Sequence, residues 1–179
     1  MTVCIAAVCN IILDRPRCVI TAADRMITMG DIEYEPAQTK SVFFATNTVG
    51  LFAGDMQLHA AVVPKVQKRI EDALHADPGN INVLEIAEFY AEEFAYYRRS
   101  LAEREILVPR GLSFDRFLAR QSTMAHWQVN DLDIRLASFY IDSTAIIAGV
   151  DPTGAHIYKI YNPGVSMCFD TPFFVCRCW

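Results

Sequence analysis

The chain opens with apolar segments spaced as β-strands. Residues 2–9 and 18–24 are almost continuously apolar, and the turn-forming sequence Asp14-Arg15-Pro16 lies between them. This pattern predicts a β-hairpin. Apolar residues occupy both alternating faces of the first segment, which is typical of a strand that is covered on two sides. A second hairpin is predicted over residues 41–45 and 49–53.

The period of the pattern changes after the second hairpin. Apolar residues recur at steps of three and four over residues 56–76, which predicts an amphipathic helix that ends at the sequence Asp77-Pro78-Gly79-Asn80. The same periodicity predicts a second helix from about residue 82 to residue 104. Residues 106–133 have a weaker pattern, and we predict only a short helix over 114–125 there.

Aromatic and basic side chains are concentrated in that weaker segment. They could line a ligand-binding patch. A mixture of this kind is more often a helix with one packed face and one solvated face, and we favour that interpretation. The residues concerned are Arg110, Phe114, Arg116, Phe117, Arg120 and Trp127.

Short apolar segments return toward the C-terminus. The last third of the chain predicts a meander of strands. Earlier in the chain, between the two predicted hairpins, residues 27–39 are polar and are predicted to form a loop. Hairpins, two helices and a final meander together indicate a mixed α+β fold. The four strands predicted after the helices cover residues 135–142, 144–150, 156–161 and 165–169.

Composition narrows the classes of function. A chain of 179 residues is expected to form one domain with a substantial core. The net charge of −5 gives no electrostatic basis for binding nucleic acid or an anionic membrane. No segment approaches the roughly 18 to 20 apolar residues of a membrane span, and the first residues lack the basic region of a signal peptide. We therefore expect a cytoplasmic protein.

Cysteine and histidine residues do not suggest a metal site. The six cysteines and four histidines are scattered without the spacing of zinc ligands. The pair Cys176-Arg177-Cys178 is too closely spaced to be half of a zinc site. We expect neither a metal nor an organic cofactor.

Thr2 is the candidate nucleophile. Removal of Met1 would leave an α-amino group and a hydroxyl on one residue, so that the amine can take the hydroxyl proton. A nearby ammonium lowers the pKa of such an amine, and Lys40 is the candidate for that neighbour. Asp24 is the candidate counter-charge for Lys40, and Gly54 could present its backbone N–H to a developing oxyanion.

These residues and their spacing resemble the proteasome β-subunits and their bacterial peptidase relatives. Members of that family use an N-terminal threonine, an aspartate in a short segment with alanine and arginine, a lysine sixteen residues later and a glycine fourteen residues after the lysine. Asp24, Lys40 and Gly54 reproduce both intervals. The first hairpin is longer here than in a typical β-subunit, because residues 10–17 separate its strands.

The resemblance implies an N-terminal nucleophile (Ntn) hydrolase over residues 1–179. Its fold would be a four-layer αββα sandwich, with two antiparallel sheets between layers of helices. Its activity would be that of a threonine-type endopeptidase acting on peptides or unfolded proteins, with Thr2, Asp24, Lys40 and Gly54 as site residues. It would assemble into a homo-oligomer, as a ring or an open assembly, and an ATPase partner is possible.

The family pattern continues beyond Phe174, where this chain has only a few more residues. The family's later part carries two more helices, closing strands, and a serine, an aspartate and a second serine that support the threonine. We therefore expect a version truncated at the C-terminus, with unpaired strand edges and an exposed apolar face. Two alternatives stay open: a non-catalytic structural or assembly subunit, and an Ntn acylase that acts on small amides.

Overall fold

A computed structural model of the chain describes residues 2–9, 18–24, 27–29, 32–34, 40–77, 81–161, 165–168 and 173–178. The first half contains strands β1 (Thr2–Cys9), β2 (Cys18–Ala23), β3 (Ile27–Met29), β4 (Ile32–Tyr34), β5 (Ser41–Ala45) and β6 (Thr48–Gly54), followed by helices α1 (Met56–Ala76) and α2 (Val83–Ala102). The second half contains helices α3 (Phe114–Arg120) and α4 (His126–Ser138) and strands β7 (Ser143–Asp151), β8 (Gly154–Tyr161), β9 (Val165–Cys168) and β10 (Phe173–Cys178).

The described strands form antiparallel sheets. A five-stranded sheet has the order β5-β6-β7-β8-β9, a three-stranded sheet has the order β10-β1-β2, and β3 pairs with β4. A mixed α+β fold with antiparallel pairing is therefore confirmed. Both predicted hairpins are present, and helix α1 has the predicted bounds.

The five-stranded sheet is buried on both faces. Along β7, Ala145 and Ile147 pack against helices α1 and α2, whereas Ile146 and Ala148 pack against the three-stranded sheet. Ile146 and Ile147 are both fully buried, because successive side chains of a strand point to opposite faces. This arrangement explains why residues 145–148 are apolar at consecutive positions rather than at alternate positions.

Side-chain caps fix the starts of both long helices. The carboxylate of Asp55 accepts a hydrogen bond of 2.8 Å from the N–H of Gln57 at the start of α1. Asn82 and Glu85 form a capping box at the start of α2. Asp151, at the end of β7, accepts a further bond of 3.1 Å from the N–H of Val83 and so ties the sheet to α2. None of the helices in the described ranges is long and apolar enough to cross a membrane.

The segment between α2 and β7 differs from the prediction. The predicted helix over 114–125 ends at Arg120, and the predicted strand over 135–142 is wrong because residues 126–138 form α4. Leu132, Ile134 and Leu136 alternate with polar residues, which is the pattern of a strand. In the helix, Leu132 is 3% exposed and packs on a small core with Leu107 and Phe117, whereas Ile134 is 59% exposed.

One further expectation needs correction. Residues 27–39 were predicted as a loop, but β3 and β4 pair there from Ile27↔Tyr34 to Met29↔Ile32. At the end of the chain, β10 pairs along β1 from Thr2↔Cys178 to Ala7↔Phe173, and β10 and β2 are the outer strands of that sheet. As a result, the strand that begins with Thr2 lies in the middle of its sheet.

Candidate active site

A buried ion pair links the two larger sheets. Lys40 immediately precedes β5, and its carbonyl accepts a hydrogen bond of 2.9 Å from the N–H of Phe52 on β6. Its Nζ lies 2.7 Å from Oδ1 of Asp24, which follows β2 in the other sheet. The Lys40 side chain is 2% exposed and that of Asp24 is 31% exposed. A cation this deeply buried requires an anion, and Asp24 provides it.

The other oxygen of the Asp24 carboxylate faces strand β1. Oδ2 accepts a hydrogen bond of 3.3 Å from the N–H of Val3, and the N–H of Asp24 donates a bond of 3.1 Å to the carbonyl of Val3. One aspartate thus binds the Lys40 ammonium and both polar backbone groups of the residue after Thr2. The backbone of Thr2 begins β1, while its side chain lies outside the described part of the chain.

Gly54 ends β6 in a backbone conformation that favours glycine. Its φ is +98°, and a Cβ atom placed on it would lie 2.7 Å from the Cα of Ser143 and would overlap the carbonyl oxygen of Asp142. The glycine is therefore required by the close approach of the neighbouring strand as well as by its φ. Gly54 lies two residues beyond Phe52, whose N–H bonds to the Lys40 carbonyl.

Ser143 is a site residue that the sequence analysis missed. It falls between the predicted strands 135–142 and 144–150, but it begins β7 directly opposite Gly54 and is 1% exposed. Its Oγ accepts a hydrogen bond of 2.8 Å from the N–H of Asp55, and the carbonyl of Asp142 accepts from the same N–H at 3.3 Å. These bonds fix the peptide group that follows Gly54. A serine at the start of an apolar strand carries no sequence signal for this contact.

A buried histidine supports the same strand from the helix side. Nε2 of His59 lies 3.1 Å from the carbonyl oxygen of Ala53, and Nδ1 lies 2.6 Å from the hydroxyl of Tyr90. Burial lowers the pKa of His59 to about 4, against the smaller opposing effects of the Ala53 carbonyl and the Asp55 carboxylate. His59 is therefore neutral at pH 7. Since a carbonyl only accepts, Nε2 carries the proton and the Tyr90 hydroxyl donates to Nδ1.

Within the described residues, no three His, Cys, Asp or Glu side chains converge as a metal site would require. A cavity of about 520 Å³ lies in the helical segment before β7. Three of the aromatic and basic residues noted in the sequence line it: Arg110, Arg120 and Trp127.

Asp24 and Lys40 are thus in contact, the backbone of Val3 is hydrogen-bonded to Asp24, and Gly54 lies on the strand beside Lys40. No protein-family profile matches the chain, and no curated protein sequence matches it significantly. A functional assignment therefore depends on the chemistry of these residues.

Proposed function

We propose that this chain is a threonine-type Ntn hydrolase that cleaves peptide bonds. In this proposal, removal of everything before Thr2 exposes the α-amine of that residue. The observation that carries it is the contact between Lys40 and Asp24, with the second Asp24 oxygen bound to the N–H of Val3. This places a buried, neutralised ammonium close to the backbone from which the proposed nucleophile extends.

The chemistry follows from the pKa of the amine. An α-amino group titrates near 7.7–8.0, so a modest decrease makes it a free base at neutral pH. The Lys40 ammonium has this effect, because two neighbouring cations disfavour each other. Asp24 provides the counter-charge that a buried ammonium requires.

The proposed reaction has two stages. The Thr2 amine takes the proton of its own hydroxyl as Oγ attacks the substrate carbonyl, and the Gly54 N–H stabilises the oxyanion. The protonated amine then gives that proton to the leaving amine, which leaves an acyl ester on Thr2. Water hydrolyses the ester and regenerates the hydroxyl.

The packing supports the finer fold assignment, a four-layer αββα sandwich. Helices α1 and α2 cover one face of the five-stranded sheet, and the three-stranded sheet covers its other face. The outward face of the three-stranded sheet still carries apolar side chains, with Ile5 37% and Ile20 59% exposed. A further layer on that face is proposed. Assembly into a ring or open homo-oligomer, an ATPase partner and a cytoplasmic location are proposed only from the family resemblance.

The proposal is tested by labelling with a threonine-directed inhibitor, an epoxyketone or a β-lactone. Intact mass and N-terminal sequencing are measured before and after treatment. We expect a chain that begins at Thr2 and gains one inhibitor there. Lys40→Met should slow labelling roughly tenfold or more, whereas Lys65→Met, on the exposed side of α1, should label at the wild-type rate. Equal labelling rates for Lys40→Met and the wild type would contradict the assigned role of Lys40.

The same preparation separates the alternatives. A chain that begins at Thr2 but takes no inhibitor and leaves fluorogenic peptides intact would indicate a structural or assembly subunit. A chain that takes the inhibitor and cleaves small acyl amides, but not peptides, would indicate an acylase.

A further inference from the structure

Two cysteines face each other at the end of the first hairpin. Cys9 is the last residue of β1 and Cys18 is the first residue of β2, and they are direct partners in the antiparallel register. Both are free thiols and both are half-buried. They lie on the outward face of the sheet with Ile20, which is 59% exposed. Small reagents in solvent therefore have access to this pair.

The two thiols also interact. Burial raises the pKa of Cys9, and the neighbouring Cys18 raises it further through its charge and through a side-chain hydrogen bond. Directly opposed residues of two paired strands point to the same face of the sheet, so the two side chains are neighbours. This register is independent of any role of Thr2.

We propose that Cys9 and Cys18 form a site of reversible oxidative cross-linking by low-molecular-weight disulfides such as oxidised glutathione. Directly opposed residues of an antiparallel pair have Cα atoms about 4.5–5.5 Å apart. A disulfide spans Cα separations of about 4.4–6.8 Å. The cross-link therefore forms with little movement of the backbone.

The reaction balances by two thiol–disulfide exchanges. The thiolate of one cysteine attacks oxidised glutathione, which forms a mixed disulfide and releases one glutathione thiolate. The second cysteine then attacks the protein sulfur of the mixed disulfide and releases the other glutathione. Two protein S–H bonds are lost, one protein S–S bond forms, and the S–S bond of the reagent is reduced to two thiols.

The cross-link has a structural consequence. It closes a ring around residues 10–17 and joins β1 to β2 at the end of the hairpin remote from Val3 and Asp24. A short closed ring removes chain entropy mainly from the unfolded state. We expect oxidation to raise Tm by roughly 5 °C.

Cys4 provides an internal control on the same strand. It is 1% exposed, and its Sγ donates to the carbonyl of Phe52 at 3.4 Å. On β2 it lies opposite Ala23, and on β10 it lies opposite Cys176. Because oxidised glutathione does not reach a sulfur that is 1% exposed, Cys4 should stay unmodified under conditions that oxidise the hairpin pair.

The test is a redox titration of the full chain with reduced and oxidised glutathione, followed by alkylation and tryptic mapping. Trypsin cleaves after Arg17 and Arg25, because the bond from Arg15 to Pro16 resists it, so Cys9 and Cys18 fall on separate peptides. We expect these two peptides joined by a disulfide, with Cys4 alkylated, and full reversal by dithiothreitol. Cys4→Ser should keep the cross-link.

Single variants distinguish a true pair from two independent thiols. Cys9→Ser and Cys18→Ser should each trap glutathione on the remaining cysteine, because no partner thiol resolves the mixed disulfide. The proposal is overturned if wild-type protein holds glutathione at both positions, if neither cysteine reacts under excess oxidised glutathione, or if the cross-link joins Cys9 or Cys18 to a different cysteine.

Discussion

Asp24 and Lys40 lie 2.7 Å apart between the two larger sheets, although the strands that they adjoin, β2 and β5, do not pair with each other. The contact is unequal, since Lys40 is 2% exposed and Asp24 is 31% exposed. Loss of the aspartate removes the carboxylate that lies 2.7 Å from a buried ammonium. Loss of the lysine leaves a carboxylate that water still reaches.

Because the two side chains differ in exposure, we expect replacement of Asp24 and replacement of Lys40 to lower the free energy of unfolding by different amounts. Asp24→Asn should lower the free energy of unfolding by about 2–4 kcal/mol. The substitution removes the negative charge beside the buried Lys40 ammonium and disturbs the hydrogen bond from the Val3 N–H. Lys40→Met should cost about 1 kcal/mol, since Asp24 is partly solvated. Urea unfolding measures both. Lys65 serves as the control: its side chain is 48% exposed, and its Nζ lies 4.0 Å from Oε2 of Glu93. Lys65→Met should change the free energy of unfolding by less than about 0.5 kcal/mol. Equal costs for the two pair variants would contradict the burial argument.

Gly54 and Gly111 offer a matched comparison of two glycines with positive φ. Gly54 has a φ of +98° and no room for a Cβ, whereas Gly111 has a φ of +70° and nothing within 4 Å. Gly111→Ala should cost about 1 kcal/mol, the penalty of the left-handed conformation alone. Gly54→Ala should cost several kcal/mol more, because the β7 backbone must also move. Thermal unfolding of both variants decides the point, and similar Tm values would show that the β6–β7 contact is not rigid.

The sequence predicted the parts of this fold that depend on local periodicity and spacing. Helix α1 is identified by its apolar period and by Asp55 and Asp77 at its ends. The two hairpins are identified by apolar runs around turn residues. The Asp24–Lys40 contact was predicted from the need of a buried ammonium for a counter-charge and from the family spacing, because no local pattern indicates that a residue after β2 meets one before β5.

The failures have equally physical causes. The alternating apolar pattern around Ile134 is compatible with a strand as well as with a helix. The helix is favoured by the packing of Leu132 against Leu107, which the local pattern does not reveal. The roles of Ser143 and His59 depend on partners distant in sequence: Asp55 for the serine, Tyr90 for the histidine. Such contacts are set by the tertiary fold, so no window of sequence contains them.

The buried His59 predicts an acid-dependent loss of stability. Its pKa is about 4 in the folded protein and about 6.5 in an unfolded chain. Between these values the unfolded state binds more protons, so stability is fully present above about pH 6.5 and falls as the pH drops toward 4. The total loss is on the order of 3 kcal/mol, and this group adds no further loss below pH 4.

The comparison that isolates this effect is between the wild type and His59→Gln. Urea unfolding is measured at intervals from pH 7 to pH 4. The variant is less stable at pH 7 but should lose less stability across the window, because its side chain does not titrate. His126→Gln, at an exposed position on α4, should retain the wild-type slope. A His59→Gln slope equal to that of the wild type would exclude His59 as the source.

The pH dependence of peptide cleavage gives the sharpest test of the proposed mechanism. If the Thr2 amine is the base, kcat/KM rises with pH through the pKa of that amine. Lys40→Met removes a neighbouring positive charge and therefore raises that pKa, so the rising limb should move to higher pH. Thr2→Ala should abolish turnover while its Tm stays close to that of the wild type. If the rising limb of kcat/KM in Lys40→Met stays at the wild-type pH, even with a lower rate, then Lys40 positions the strands and does not lower the pKa of the Thr2 amine.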